Sequence, residues 1–310
     1  MSPKARSELS DILGFHSTSS LGKYLGFPIK HSAVPQDFEF IIERVQSKLA
    51  GWKANLLSFT SKLVLTQVVT TTIPNYAMQC VALPAKVLTS IDRLNRNFLW
   101  GSSENKKKLH LVSWKKIAKP KKDGGLGIQA AQAKNVANLA KLNWRLHTKH
   151  SSLWARVLSQ KYCSSRRSSM ALYFKSYSTT WSAIRKGEPV FKRGAKWVVS
   201  KDSKLSFWFD KWLDRGPLRS LIAGPFSRGE EQIGLKDVNG FSGWTWNGCS
   251  FSFPDRLTSE IKATPISYYA HNADRITWSS SPSGVFELKE AYNLASMDEE
   301  GYYTGCFDGS

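Results

Sequence analysis

At 310 residues and 41% hydrophobic content the chain can bury a sizeable core, and about 150 residues per domain suggests two units. Its 44 Lys and Arg against 24 Asp and Glu give a formal charge of +20, spread unevenly: residues 1–150 hold 23 basic and 8 acidic side chains, residues 151–200 hold 10 and 1, and residues 201–310 hold 11 and 15. One sign of charge over two thirds of a chain costs self-repulsion, which a polyanionic partner such as RNA or DNA relieves; no run approaches 18 apolar residues and the N-terminus has no apolar signal core, which argues against a membrane span and secretion and for a nuclear or cytoplasmic protein.

Phe38, Ile41, Ile42, Val45, Leu49 and Trp52 recur every three or four residues and predict a helix from about Gln36 to Gly51. Ser58 can cap a second helix that runs through Leu63, Val64, Val68 and Val69 to Pro74. Pro84 suits the start of a third, with Val87, Ile91, Leu94, Phe98 and Leu99 on one face and Gly101 just past its end. Gln129 to about His147 has helical spacing, Ser151 or Ser152 can start another helix through Leu158, and Trp181 to Lys186 predicts a short one before Gly187 and Pro189.

Beyond Gly194 the period changes to two. KWVV, KLSFWFDKWL and GWTWNGCSFSF predict strands, and Arg275–Trp278 with Val285–Leu288 predicts a hairpin that feeds a short helix at Leu288 to Ala295. The expected fold is therefore α+β: a helical region over residues 1–162, a basic connector over 163–194, a smaller β-rich region over 195–297 and a disordered tail over 298–310.

The chemically loaded stretch is Phe98 to Ile128, where eight lysines face Glu104 and Asp123 for a net charge of +6. Spaced ammonium groups release counterions from phosphates, so Lys106, Lys107, Lys108, Lys115, Lys116, Lys119, Lys121 and Lys122 are candidate nucleic-acid contacts, with Arg166, Arg167, Lys192, Arg193 and Lys196 extending the field. Trp114, between Ser113 and Lys115, is the best candidate for stacking on a base; most of the twelve tryptophans fall on core faces. GGLG at Gly124 to Gly127 lacks the spacing of a phosphate cradle and reads as a tight turn before a helix. Cys80, Cys163, Cys249 and Cys306 show no CxxC spacing and read as buried thiols, and the six histidines show no HExxH pair; no cofactor, metal site or small-molecule substrate is implied.

GKYLGFPI at Gly22, LAGWKANLLS at Leu49, IPNYAMQ at Ile73, NRNFLWG at Asn95, HLVSWKKIAKPKKDGGLGI at His110, KLNWRL at Lys141, LWARVLSQKY at Leu153 and LSFWFDKWL at Leu205 occur in one order. This order resembles the region after the polymerase palm, the thumb and connection, of plant non-LTR (LINE-type) retrotransposon reverse transcriptases. DRITWSSSPSGVFELKEAY at Asp274 resembles the opening of the zinc-binding domain that follows there, and CFDGS at Cys306 resembles, weakly, the first strand of a ribonuclease H domain, with Asp308 as its first carboxylate. The family polymerase needs converging carboxylates to hold two metal ions, and the chain has no Asp-Asp pair; only Cys306 follows Tyr292 where zinc ligands would cluster. The resemblance thus implies a non-catalytic fragment, not itself an enzyme, that binds nucleic acid without sequence preference. The alternatives are a partial chain of an active reverse transcriptase and ribonuclease H polyprotein, or an inert pseudogene product.

Overall fold

The computed structural model describes residues 8, 10–12, 14, 22–24, 27–28, 34–50, 56–102, 108–162, 178–240, 243–246, 249–266 and 274–304. It is α+β, with helices carrying most of the packing and, among the described residues, three two-stranded antiparallel pairs. The first pair is β1 (Lys23–Tyr24) with β2 (Phe27–Pro28).

A 3-10 turn, Pro35–Phe38, leads into α1 (Glu39–Leu49), which buries Ile41 and Val45; Gly51 and Trp52, at the expected end, lie outside the described residues. Ser58 caps α2 (Phe59–Leu65) by accepting from the Ser61 amide at 3.2 Å. The expected run to Pro74 is broken by a π-turn at Thr66–Thr70. Here Thr66, Thr70, Thr71 and Thr72 each donate a hydroxyl to a backbone carbonyl three or four residues back, a competition that loosens the regular ladder. After α3 (Asn75–Met78) comes α4 (Ala85–Trp100), whose Val87, Leu88 and Ile91 join Phe38, Ile41 and Met78 in one core cluster. Gly101, left-handed at φ 68°, closes it as the sequence predicts.

After the short α5 (Trp114–Ile117) comes the long α6 (Ala131–Thr148), the mast of the fold. Its Ala133, Ala137 and Ala140 form a small-residue face on which α8 (Thr179–Gly194) and α12 (Leu288–Thr304) pack. At the α6–α8 crossing the helices approach so closely that a Cβ on Gly187 would lie 2.3 Å from the Leu139 carbonyl carbon. Polar side chains fasten α6 as well: Asp92 and the Tyr292 hydroxyl accept from the amides of Ala131 and Ala130, and Asn135 donates to the carbonyls of Met78 and Val81 while accepting from the Leu83 amide. The Lys134 ammonium, buried, donates to the Thr71 carbonyl at 2.9 Å beside the π-turn, and burial lowers its pKa to about 8.

Five expectations are corrected. α8 does not stop before Gly187 but runs through Pro189 to Gly194, because burial of Val190 and Phe191 offsets the roughly 3 kcal/mol that an internal proline costs. KLSFWFDKWL is not a strand: it is a chain of turns with isolated bridges, Ser206 to Gly234 and Leu213 to Gly216, wrapped around the fully buried Phe207, Trp208 and Trp212. Among the described residues of GWTWNGCSFSF only β5 (Gly243–Trp244) pairs, with β4 (Asn239–Gly240). The 275–288 hairpin is also absent: β6 (Arg275–Trp278) pairs instead with β3 (Ala195–Val198), Ala195 opposite Trp278. Asp274 secures that pairing, its carboxylate accepting from Ser200 N and Oγ, Ser203 Oγ and Lys204 N at 2.9 to 3.1 Å. The last helix also extends beyond the predicted Ala295, to Thr304.

Short helices complete this part of the chain: α7 (Leu153–Tyr162) follows α6, and α9 (Leu218–Leu221), α10 (Leu235–Val238) and α11 (Asp255–Ala263) surround the tryptophan cluster.

Candidate nucleic-acid interface

The lysine loop is built from its backbone outward. Beyond Gly101, Ser102 Oγ accepts from the Lys108 amide at 3.0 Å, which pins Lys108 to the end of α4. Ser113 then precedes α5 (Trp114–Ile117), and Pro120 to Gly125 form a tight turn with Gly124 left-handed at φ 78°. The turn folds back on α5: Leu126 N donates to the Ile117 carbonyl at 2.9 Å and Gly127 N to that of Lys119 at 3.0 Å. A Cβ on Gly125 would lie 2.0 Å from the Lys119 oxygen, so only glycine permits this return. Gln67 ties the loop to the π-turn through the Leu126 carbonyl at 2.6 Å. Underneath, Leu99, Ile117 and Ile128 are buried together.

From this fixed frame Lys115, Lys116, Lys119, Lys121 and Lys122 project as exposed side chains. Lys108 comes together with a lysine that the sequence reading did not select, Lys62 of α2: a point one Cβ above Gly101 lies 3.3 Å from Lys62 Nζ and 3.4 Å from Lys108 Nζ. Both ammonium groups thus meet at the carbonyl end of α4, where the helix dipole favours positive charge. The signal for Lys62 was faint, one lysine on a short capped helix.

The remaining candidates divide. Lys106, Lys107, Arg166 and Arg167 lie outside the described residues. Lys192, Arg193 and Lys196 are described, but on the α8–β3 side of the fold, and each has an internal partner: Lys192 Nζ meets Glu188 at 2.7 Å, Arg193 donates to the Leu294 carbonyl at 3.0 Å and Lys196 Nζ meets Asp214 at 2.6 Å. Trp114 is half-buried and packs against the Leu99, Ile117 and Ile128 cluster, so its ring serves first as the loop's anchor.

His147 Nδ1 pairs with the Asn143 carbonyl at 2.9 Å and its ring stacks on Phe191, as a histidine at a helix end should. Cys80 is exposed and Cys249 half-buried, so the expectation of buried thiols fails at Cys80. Among the described residues no group of three His, Cys, Asp or Glu could hold a metal ion, and no helix is long and apolar enough to cross a membrane.

Fold and site together define a basic α+β protein that exposes five lysines between residues 115 and 122. The chain belongs to the family of an uncharacterized mitochondrial protein of Arabidopsis thaliana, with which it is 30% identical over 151 residues, 98% of that protein and 48% of this chain. It is also 36% identical over 282 residues to an Arabidopsis thaliana protein provisionally named a ribonuclease H protein, a match covering 88% of this chain and 45% of the relative. The chain thus spans less than half the length of that relative. No protein-family model matches the chain. Both relatives are plant proteins, in agreement with the plant retrotransposon-related character expected from the motif order. The expectation that the chain is not an enzyme is overturned by the second match, since a relative carrying an enzyme's name aligns with nearly the whole chain.

Proposed function

We propose that this chain is the substrate-holding portion of an enzyme related to retrotransposon reverse transcriptases and ribonuclease H proteins, and that its lysine loop grips the phosphate backbone of RNA or DNA. By resemblance it corresponds to the region after the palm and the opening of the zinc-binding domain. One observation carries the reading: five lysines stand exposed on a backbone that glycine turns, Gln67 and a small core hold fixed. Such a surface meets phosphates without first paying the entropy of ordering a loop. Ammonium contacts to phosphate carry no base information, so binding is tolerant of sequence.

The relative's name supports an enzymatic context, and the basic composition supports a polyanionic substrate within it. Titrating labelled duplex DNA at several salt concentrations tests the reading. If about five phosphates are neutralised, log K falls against log salt with a slope of roughly −4 to −5. A flat response, or no binding at low salt, refutes it.

A further inference from the structure

Between Asp123 and Glu188 the chain contains eleven Lys and Arg and not one carboxylate side chain. The middle of this stretch folds into α6, α7 and the turn between them. One side of α7 is committed to the interior, where Ala155 is buried with Leu146 and Ile184 while Trp154 and Leu158 pack beside them. Its opposite side lines an open groove of about 690 Å³, formed by His150 and by Leu153, Arg156, Val157, Ser159, Gln160 and Lys161.

Leu153 is 75% exposed and Val157 55%, although they stand one helical turn apart on the same face. Arg156 and Lys161 are exposed on either side of Val157. Outside the groove lining, the Arg145 guanidinium of α6 lies 5.5 Å from the centre of the Trp154 ring.

The mixture selects its occupant. An apolar protein segment would cover Leu153 and Val157 but would strip water from Arg156 and Lys161 without supplying anions. A sugar–phosphate chain meets both demands, with phosphates for the cations and ribose carbons for the two apolar side chains. The helix is about 15 Å long, enough for a few consecutive nucleotides.

We infer that the outer face of α7 is a second nucleic-acid contact, taking the sugar–phosphate backbone of one strand. The inference rests on the proposed nucleic-acid function but not on the lysine loop, which belongs to a different core cluster. The cations of the groove work as the loop lysines do, by releasing counterions, and Leu153 and Val157 add a contact that salt does not screen.

The test compares the full chain with Arg156→Gln/Lys161→Gln and with Lys115→Gln/Lys116→Gln/Lys121→Gln, binding a labelled single-stranded oligonucleotide by fluorescence anisotropy across a salt series. All five substituted side chains are exposed, so the fold should survive, and circular dichroism checks that it does. The groove variant should bind several-fold more weakly, with a salt slope shallower by about 1.4, or roughly 0.7 per lost contact. In the unsubstituted protein, acetylation of Lys161 read by mass spectrometry should fall when the oligonucleotide is bound. If the groove variant keeps the original slope and Lys161 stays equally reactive while the loop variant weakens, the groove assignment is overturned and the proposed function stands. If neither variant alters binding, both fall. Protection of Lys161 by polyglutamate but not by the oligonucleotide would assign the groove to an acidic protein and overturn the inference.

Discussion

Replacing Gly187 by alanine sets two effects against each other. In an exposed helix the substitution stabilises by about 0.8–1.0 kcal/mol, and Gly187 has no left-handed backbone to forbid a side chain. The tertiary structure reverses the sign. The added Cβ would lie 2.3 Å from the Leu139 carbonyl carbon, 2.4 Å from the Ala140 nitrogen and 2.6 Å from the Leu139 oxygen. These are backbone atoms in the interior of a helix and cannot rotate aside. Reaching ordinary contact requires α6 and α8 to part by about 1 Å, and a gap of that size forfeits a quarter to a half of the dispersion energy at each separated contact. The separated contacts include Ala137, Ala140, Val190 and Phe191, so the cost lies toward the upper end of the roughly 1–3 kcal/mol typical of overpacking. Net of helix propensity, Gly187→Ala should destabilise by about 2 kcal/mol, which thermal or urea denaturation would show as a lowered midpoint. A variant as stable as the parent, or more so, would refute the close crossing of α6 and α8.

Asp274→Ala should cost about 3 kcal/mol, since it strands four donors, three of them from the buried Ser200 and Ser203; a loss under about 0.5 kcal/mol in denaturant would contradict the role given to Asp274. Lys134 has a folded pKa lowered from 10.5 to about 8, so between those values the folded state binds fewer protons than the unfolded one and stability rises with pH; below about 8 the cost of burying the charge is complete. The stability of the parent relative to Lys134→Met should therefore improve as pH goes from 8 to 10, with Asp92, which lines the same small crevice, left in place, and a constant difference would show that Lys134 is not buried as a cation. Trp114→Ala should lower the melting temperature while Trp114→Phe, which keeps an apolar anchor, should bind a single strand nearly as well as the parent; a tenfold loss with Phe at unchanged stability would restore the base-stacking role.

Helices were legible wherever one face alone sets the pattern. The stripe from Val87 to Leu99, the Ser58 cap and the Gly101 stop all follow from contacts within a turn or two of chain. The aromatic run from Leu205 to Leu213 was not, because period two records which residues turn inward, and a sequence of tight turns around Phe207, Trp208 and Trp212 turns them inward just as a strand does. Nor could β3 be matched to β6 rather than β6 to the following segment, since the choice is made by Asp274 reaching Ser200 and Ser203 across more than seventy residues of sequence. The lysine loop was visible by composition, whereas the neighbourhood of Lys62 and Lys108, separated by the end of α2, the π-turn, α3 and all of α4, was not.

By itself the sequence determined the sign and location of the charge, the α+β class and the motif order, because these depend on residue identity and short-range period. The tertiary structure alone decided which cations meet carboxylates far away in sequence: Asp214, beyond β3 and the aromatic turns, stands 2.6 Å from the largely covered Lys196 ammonium. Folding also carried α8 through Pro189 and left one face of α7 lined with cations and uncovered apolar side chains. Proximity of opposite charges and burial against distant helices are three-dimensional quantities, and no local pattern encodes them.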